Sequence, residues 1–192
     1  MTDSFQFAPI KDVIAAIARG EMIVMVDDED RENEGDLIMA AQFATPEKIA
    51  FIVRYSSGVV VAPISGDRCD DLRLPLMVDN NTESHRTAFT ISVDLLEGTT
   101  TGISAADRAA TLRGLADPNV SHSAFARPGH IFPLRAREGG VLKRAGHTEA
   151  SVDLCKLASL RSGAIISELM KEDGTMMRMP DLQKFAKEHN LL

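Results

Sequence analysis

With 192 residues, 44% hydrophobic and 26% charged, the chain suits one domain with a sizeable core rather than two. A net charge of −7 and 5% aromatic content without tryptophan argue against nucleic-acid binding, which calls for a basic footprint and stacking surfaces. A small anionic ligand stays open, because a few local cations override the global sign. No apolar run approaches the ~20 residues that cross a bilayer, and the N-terminus lacks a basic-then-apolar signal pattern. Cys69 and Cys155 form no Cys-x-x-Cys, so a cytoplasmic protein with ordinary reduced thiols is expected, with no membrane partner.

Ile10, Val13, Ile14, Ile17 and Ala18 recur at helical spacing before Gly20, a stop signal. Residues 22–26 form an uninterrupted apolar run of strand length. Thr45-Pro46-Glu47 reads as N-cap, first-turn proline and first-turn acid of a helix reaching Tyr55. Val59–Val61 is a short buried strand, and 79–82 a polar loop. From Thr87 to Leu95, Phe89, Ile91, Val93 and Leu95 alternate with smaller or polar residues, predicting a half-buried strand. Ser104 and Asp107 are spaced as a capping box for a helix over 105–115. Arg127–His130 is a turn before Ile131-Phe132. A helical stripe at Ala150, Leu154, Leu157 and Ala158, a strand through Ile165-Ile166 to Glu168, and a last helix at Leu182, Phe185 and Ala186 complete the chain. The connections are too short or irregular for pure βαβ units. They predict an α+β fold: a single three-layer domain over 1–192, its mixed β-sheet covered by helices on both faces.

Between Asp27 and Asp36, seven carboxylates fall within ten residues, directly after a buried strand. Such a run alone suggests a solvated loop. Its place at a strand end, where ligands gather, and the mutual repulsion of the acids favour a divalent cation. A calcium-binding EF-hand loop starting at Asp30 fails, because its twelfth position is Ala41 rather than a glutamate. A second feature is the turn from Gly139 to Glu149. Gly146 permits close backbone approach, Thr148 can cap the helix that follows, and Arg144 with Lys143 supplies cations, a pattern open to two readings: a phosphate site, or the commoner capped helix start with two solvated cations. His147 beside such a phosphate could help hold Mg²⁺ or Mn²⁺, since one imidazole among oxygen ligands is tolerated.

Four blocks together, 27–37, Thr101-Gly102-Ile103-Ser104-Ala105-Ala106-Asp107-Arg108, Arg127-Pro128-Gly129-His130 and Arg144-Ala145-Gly146-His147-Thr148-Glu149-Ala150, closely resemble the 3,4-dihydroxy-2-butanone 4-phosphate synthase family in order and spacing, from about Ile10 to Leu191. The resemblance implies a lyase that converts D-ribulose 5-phosphate to 3,4-dihydroxy-2-butanone 4-phosphate and formate in riboflavin biosynthesis. It implies a Mg²⁺ or Mn²⁺ cofactor held by Glu32 and His147, and a homodimer with active sites near the interface. It further implies substrate contacts at Arg31, Asp36, Arg144, Gly146 and Thr148, the last three around the phosphate, and an essential catalytic pair of His130 and Glu168. Asp27, Cys69 and Thr101 are further candidates. For Cys69 a structural thiol is the preferred reading. For Glu168 the residues alone give a strand-end surface carboxylate. Family members usually continue beyond the segment matching 188–191 with a further strand and helix. A naturally short or trimmed chain is therefore one expectation, and the first half of a protein with GTP cyclohydrolase II downstream another. The alternative function is a non-catalytic metal- or phosphate-binding half of such a protein.

Overall fold

The structure, a computed structural model, describes residues 6–192. Helix α1 (Ile10–Ala18) leads into β1 (Ile23–Val26), and β2 (Gly35–Ala40) returns antiparallel to it, Val26 opposite Gly35. Helix α2 (Pro46–Tyr55) starts at the Thr-Pro-Glu signal, where the Thr45 hydroxyl accepts the Lys48 amide at 3.3 Å. Then follow β3 (Val61–Ile64), α3 (Gly66–Asp71), β4 (Val93–Leu95), α4 (Ala105–Ala116), β5 (Phe125–Arg135), α5 (His147–Leu157), β6 (Ala164–Glu168) and α6 (Met179–Glu188). The six strands form one sheet in the order β1-β2-β6-β3-β5-β4. Only β3 and β5 run parallel; the other pairs are antiparallel.

Alternation along the strands sorts the core into two halves. Leu37, Met39, Ile165 and Ile64 pack with Ile49 and Ile52 of α2, Leu112 and Leu115 of α4 and Phe185 of α6. Ile38, Ala40, Ile166 and Leu134 turn to the opposite face, against Ile17 of α1 and Leu154 of α5. The expected three-layer α+β arrangement, a mixed sheet with helices on both faces, is the fold observed.

Three local expectations are revised. The alternating stretch 87–95 forms a ladder only at Val93–Leu95, with single bridges from Thr90 to Leu76 and from Phe89 to Leu134. A register shift between Val93 and Asp94 breaks the pairing with β5. The predicted turn at Arg127–His130 lies inside the long strand β5, with a cis Arg127–Pro128 peptide. Gly129 there lies so close to β4 that a Cβ would sit 2.1 Å from the Val93 carbonyl carbon. The Ser104 capping box is half formed. Its hydroxyl accepts the Asp107 amide at 3.0 Å, but the Asp107 carboxylate accepts from the Thr100 hydroxyl at 2.7 Å and the Gly102 amide at 3.0 Å.

Candidate active site

The acidic segment is the loop of the β1–β2 hairpin, and Asp27 organises it. One carboxylate oxygen accepts from Arg31 Nη1 at 2.7 Å and the Glu32 amide at 3.0 Å; the other accepts the Glu34 amide at 2.9 Å. Burial alone would raise the Asp27 pKa, but these donors outweigh it and hold the carboxyl below its ordinary range. Asn33 turns the chain at φ +53, and the Arg178 guanidinium at the start of α6 donates to the carbonyls of Glu32 and Asn33. Folded in this way, the loop directs Glu32 toward His147.

His147 opens α5 and is almost fully buried. Its Nδ1 lies 3.4 Å from an Asp36 oxygen and 3.8 Å from a Glu32 oxygen, the latter beyond hydrogen-bond range. Burial lowers the imidazole pKa, but Glu32, Asp36 and Asp27 together raise it above the usual value. Asp36, at 3% exposure, is pushed up to about 7, chiefly by burial. Two atoms here, His147 Nε2 and Asp36 Oδ1, are buried without a hydrogen-bond partner, an uncommon condition for buried polar groups. Ligand atoms of Asp27, Glu32 and His147 all lie within 4.8 Å of one another. Two hard carboxylates and one imidazole fit a divalent ion such as Mg²⁺ or Mn²⁺. The cluster contains Asp27 beside the expected pair Glu32 and His147.

Arginines border this cluster. Arg31 reaches Glu32 at 3.0 Å as well as Asp27. Arg144 donates to Glu149 at 2.8 Å, to the Thr87 hydroxyl at 3.0 Å and to the His85 carbonyl at 3.3 Å. Both guanidiniums converge over Gly146, where a Cβ would meet Arg144 Nη1 at 2.5 Å and Arg31 Nη2 at 2.9 Å. The N-cap of α5 is Gly146 rather than Thr148, and no side chain caps the helix. Thr148 instead sits buried in the first turn. Convergent cations over an uncapped helix start can take a phosphate.

Arg31, Glu32, Asp36, Arg144, His147, Thr148 and Glu168 line one cavity of about 90 Å³, with Thr87 and apolar walls from Val61, Phe89, Leu134 and Ile166. Glu168 pairs across the sheet with Asp36 and accepts a hydrogen bond from the Ser57 hydroxyl at 2.9 Å. A larger apolar groove of about 450 Å³ between α1, β1 and α6 touches Asp27 and Asp28 but brings no cationic side chain, whereas the smaller cavity joins acids, His147 and two arginines.

His130 does not line that cavity. Registers of Ile166 with Val61 and Val61 with Phe132, carried two residues further, set His130 two strands from Glu168, or roughly 10 Å at the usual strand spacing. Its ring Nδ1 is 2.6 Å from Asp94. Thr101 is exposed on the loop that brings Gly102 beside His130. Cys69 is fully buried in α3, its thiol pushed up to about 12 by burial, which leaves it an unreactive packed side chain.

Sequence reasoning did not single out Asp94, Ser57, Thr87 or Arg178, and assigned Glu149 no role of its own. Their partners lie 36 to 146 residues away for Asp94, Ser57, Thr87 and Arg178, so no local spacing marks them. Glu149 is five residues from Arg144, and an acid in a first helical turn already has an ordinary explanation.

The fold is of the α+β class, and its cavity sets a carboxylate–histidine cluster beside two arginines that converge over an uncapped helix start. The chain belongs to the 3,4-dihydroxy-2-butanone 4-phosphate synthase family, whose sequence model matches residues 11–192. It is 57% identical over 185 residues to a 3,4-dihydroxy-2-butanone 4-phosphate synthase of Agrobacterium fabrum, covering 96% of this chain and 87% of that protein. It is 55% identical over 186 residues to the riboflavin biosynthesis protein RibBA of Salinispora arenicola, covering 97% of this chain and 44% of that one. The chain therefore spans less than half of that longer relative. Among solved structures, a 3,4-dihydroxy-2-butanone 4-phosphate synthase in complex with two magnesium ions superposes with a TM-score of 0.92 at 48% identity, covering 96% of this chain and 91% of that one. The Candida albicans synthase gives 0.90 at 52%, covering 97% and 93%.

Proposed function

We propose that this chain is a lyase that converts D-ribulose 5-phosphate to 3,4-dihydroxy-2-butanone 4-phosphate and formate, with Mg²⁺ or Mn²⁺ as cofactor. One observation carries the reading: His147 and Asp36, whose Nε2 and Oδ1 are buried without a partner, line one cavity with the two arginines that converge over Gly146. A cation site and a phosphate site a side chain apart suit a small sugar phosphate. Glu32, His147 and Asp27 are the residues that would hold the metal. When bound, a divalent cation supplies a Lewis acid for the substrate's carbonyl and adjacent hydroxyl.

The chain's own groups do the rest. Arg31, Arg144 and the first amides of α5 bind and orient the phosphate. Asp36, titrating near 7, can hold or release a proton at working pH. Glu168, held by Ser57, is a second proton carrier at the cavity wall, and the family's essential pair would add His130. Because His130 stands outside the cavity of its own chain, a homodimer with its active sites near the interface is part of the same proposal. Exposed Val59, Leu96 and Ile103, on the segments beside Glu168 and His130, are apolar side chains such an interface would cover. Cytoplasmic residence is expected from the reading; no described helix is long and apolar enough to cross a membrane.

The test is formate release followed by NMR, with ribulose 5-phosphate or ribulose as substrate and Mg²⁺ or EDTA present. Formate should appear only with the phosphorylated substrate and the metal. Equal turnover of ribulose, or full turnover in EDTA, would overturn the reading.

A further inference from the structure

We propose that Asp94 is the positioning residue for His130, fixing the ring with Nδ1 protonated and Nε2 turned outward as proton acceptor. The kinetic part rests on the reading above, in which His130 moves a proton; the tautomer does not.

Both oxygens of one carboxylate are spent on this one residue. Oδ1 accepts the His130 amide at 2.8 Å and Oδ2 lies 2.6 Å from Nδ1. An ionised carboxylate only accepts hydrogen bonds, so Nδ1 must carry the hydrogen and the neutral ring is left with Nε2 as acceptor. The carboxylate is largely buried, its side chain 12% exposed, while the imidazole is 42% exposed. The inner nitrogen is therefore occupied and the outer one available.

Three segments are shaped around the pair. The register shift between Val93 and Asp94 turns the Asp94 side chain toward β5. Gly129 admits that bulge, since a Cβ there would lie 2.3 Å from the Asp94 amide nitrogen. From the far side comes Gly102, at φ +94, where a Cβ would stand 2.0 Å from Asp94 Oδ2 and 2.8 Å from His130 Nδ1. Its amide is tied to Asp107 at 3.0 Å, which holds the loop in place. A pin that only joined β4 to β5 would need the backbone bond alone; it would not need a glycine cleared on the ring side.

Asp94→Asn separates the two roles. The amide oxygen can still accept the His130 N–H, but its NH₂ group faces Nδ1 and selects the opposite tautomer. We expect kcat to fall about 10²-fold or more, as for loss of a positioned proton-transfer group. KM for ribulose 5-phosphate and the thermal midpoint should stay close to those of the wild type. In ¹⁵N NMR of the metal-loaded protein without substrate, the wild-type His130 ring should show the Nδ1–H pattern and the variant the Nε2–H pattern. Wild-type protein with Nε2–H would overturn the proposal even if the variant does not fold. So would an Asp94→Asn enzyme with unchanged kcat while His130→Ala is inactive. If His130→Ala keeps full activity, the proton-transfer role of His130 fails, and the NMR pattern alone decides whether Asp94 sets the tautomer.

Discussion

Replacing Gly146 by alanine probes the anion pocket without straining the backbone. Gly146 sits at φ −127, ψ 162, an extended conformation open to alanine. The added methyl would lie 2.5 Å from Arg144 Nη1 and 2.9 Å from Arg31 Nη2, whereas ordinary contact begins near 3.4 Å. Arg144 must therefore retreat by about 0.9 Å and Arg31 by about 0.5 Å (the differences from 3.4 Å). A retreat of that size breaks or distorts the 2.8 Å bond from Arg144 to the buried Glu149. A charge-assisted hydrogen bond is worth about 1.5–3 kcal/mol. Losing one from the bound phosphate should raise KM for ribulose 5-phosphate about 10- to 100-fold. A similar loss at Glu149 should lower the thermal midpoint by about 3–10 °C. Mg²⁺ affinity, measured by calorimetry, should change less than KM, because the methyl meets the two guanidiniums directly and reaches Asp27 and Glu32 only through Arg31. A variant with lowered midpoint but unchanged KM would refute the assignment of the phosphate to these two guanidiniums.

His147 carries a raised pKa because nearby carboxylates outweigh burial, so a cation must displace a proton from it at low pH. Metal affinity should accordingly fall as pH falls through the His147 titration, by up to about tenfold per unit, with proton release seen in buffers of different ionisation enthalpy. Affinity independent of pH from 6 to 8, or retained in His147→Ala, would count against that ligand. Arg178→Ala removes the clamp on the carbonyls of Glu32 and Asn33. It should weaken metal binding about 10-fold or more, as outer-sphere changes do, while KM measured at saturating Mg²⁺ stays near the wild-type value.

The sequence was most readable where one local interaction decides the structure. Thr45-Pro46 caps α2 and Ser104 caps α4 through contacts three residues away, and such spacing survives in a one-dimensional reading. β2 escaped because Leu37, Ile38, Met39 and Ala40 are buried on both faces of the sheet and so show no alternation, while Asp36 made its start look like part of the acidic loop. The opposite error fell on 87–95. Its alternation is real, yet its first half bridges singly, and Thr87 is drawn to Arg144 instead of pairing in a ladder. The acidic segment and the Arg144–Thr148 turn were both visible as motifs, but the sequence could not show that Asp27 also braces its own loop through the Glu32 and Glu34 amides while Glu32 and Asp36 face His147. That division of labour among similar acids depends on which amides the folded loop turns inward.

The most direct test of the central claim follows one carbon. Ribulose 5-phosphate labelled with ¹³C at C4, the carbon that the family's reaction expels as formate, is turned over with Mg²⁺ and observed by NMR. The account predicts one labelled formate for each substrate consumed and an unlabelled four-carbon phosphate. Label retained in the phosphorylated product, or consumption without formate, would contradict it.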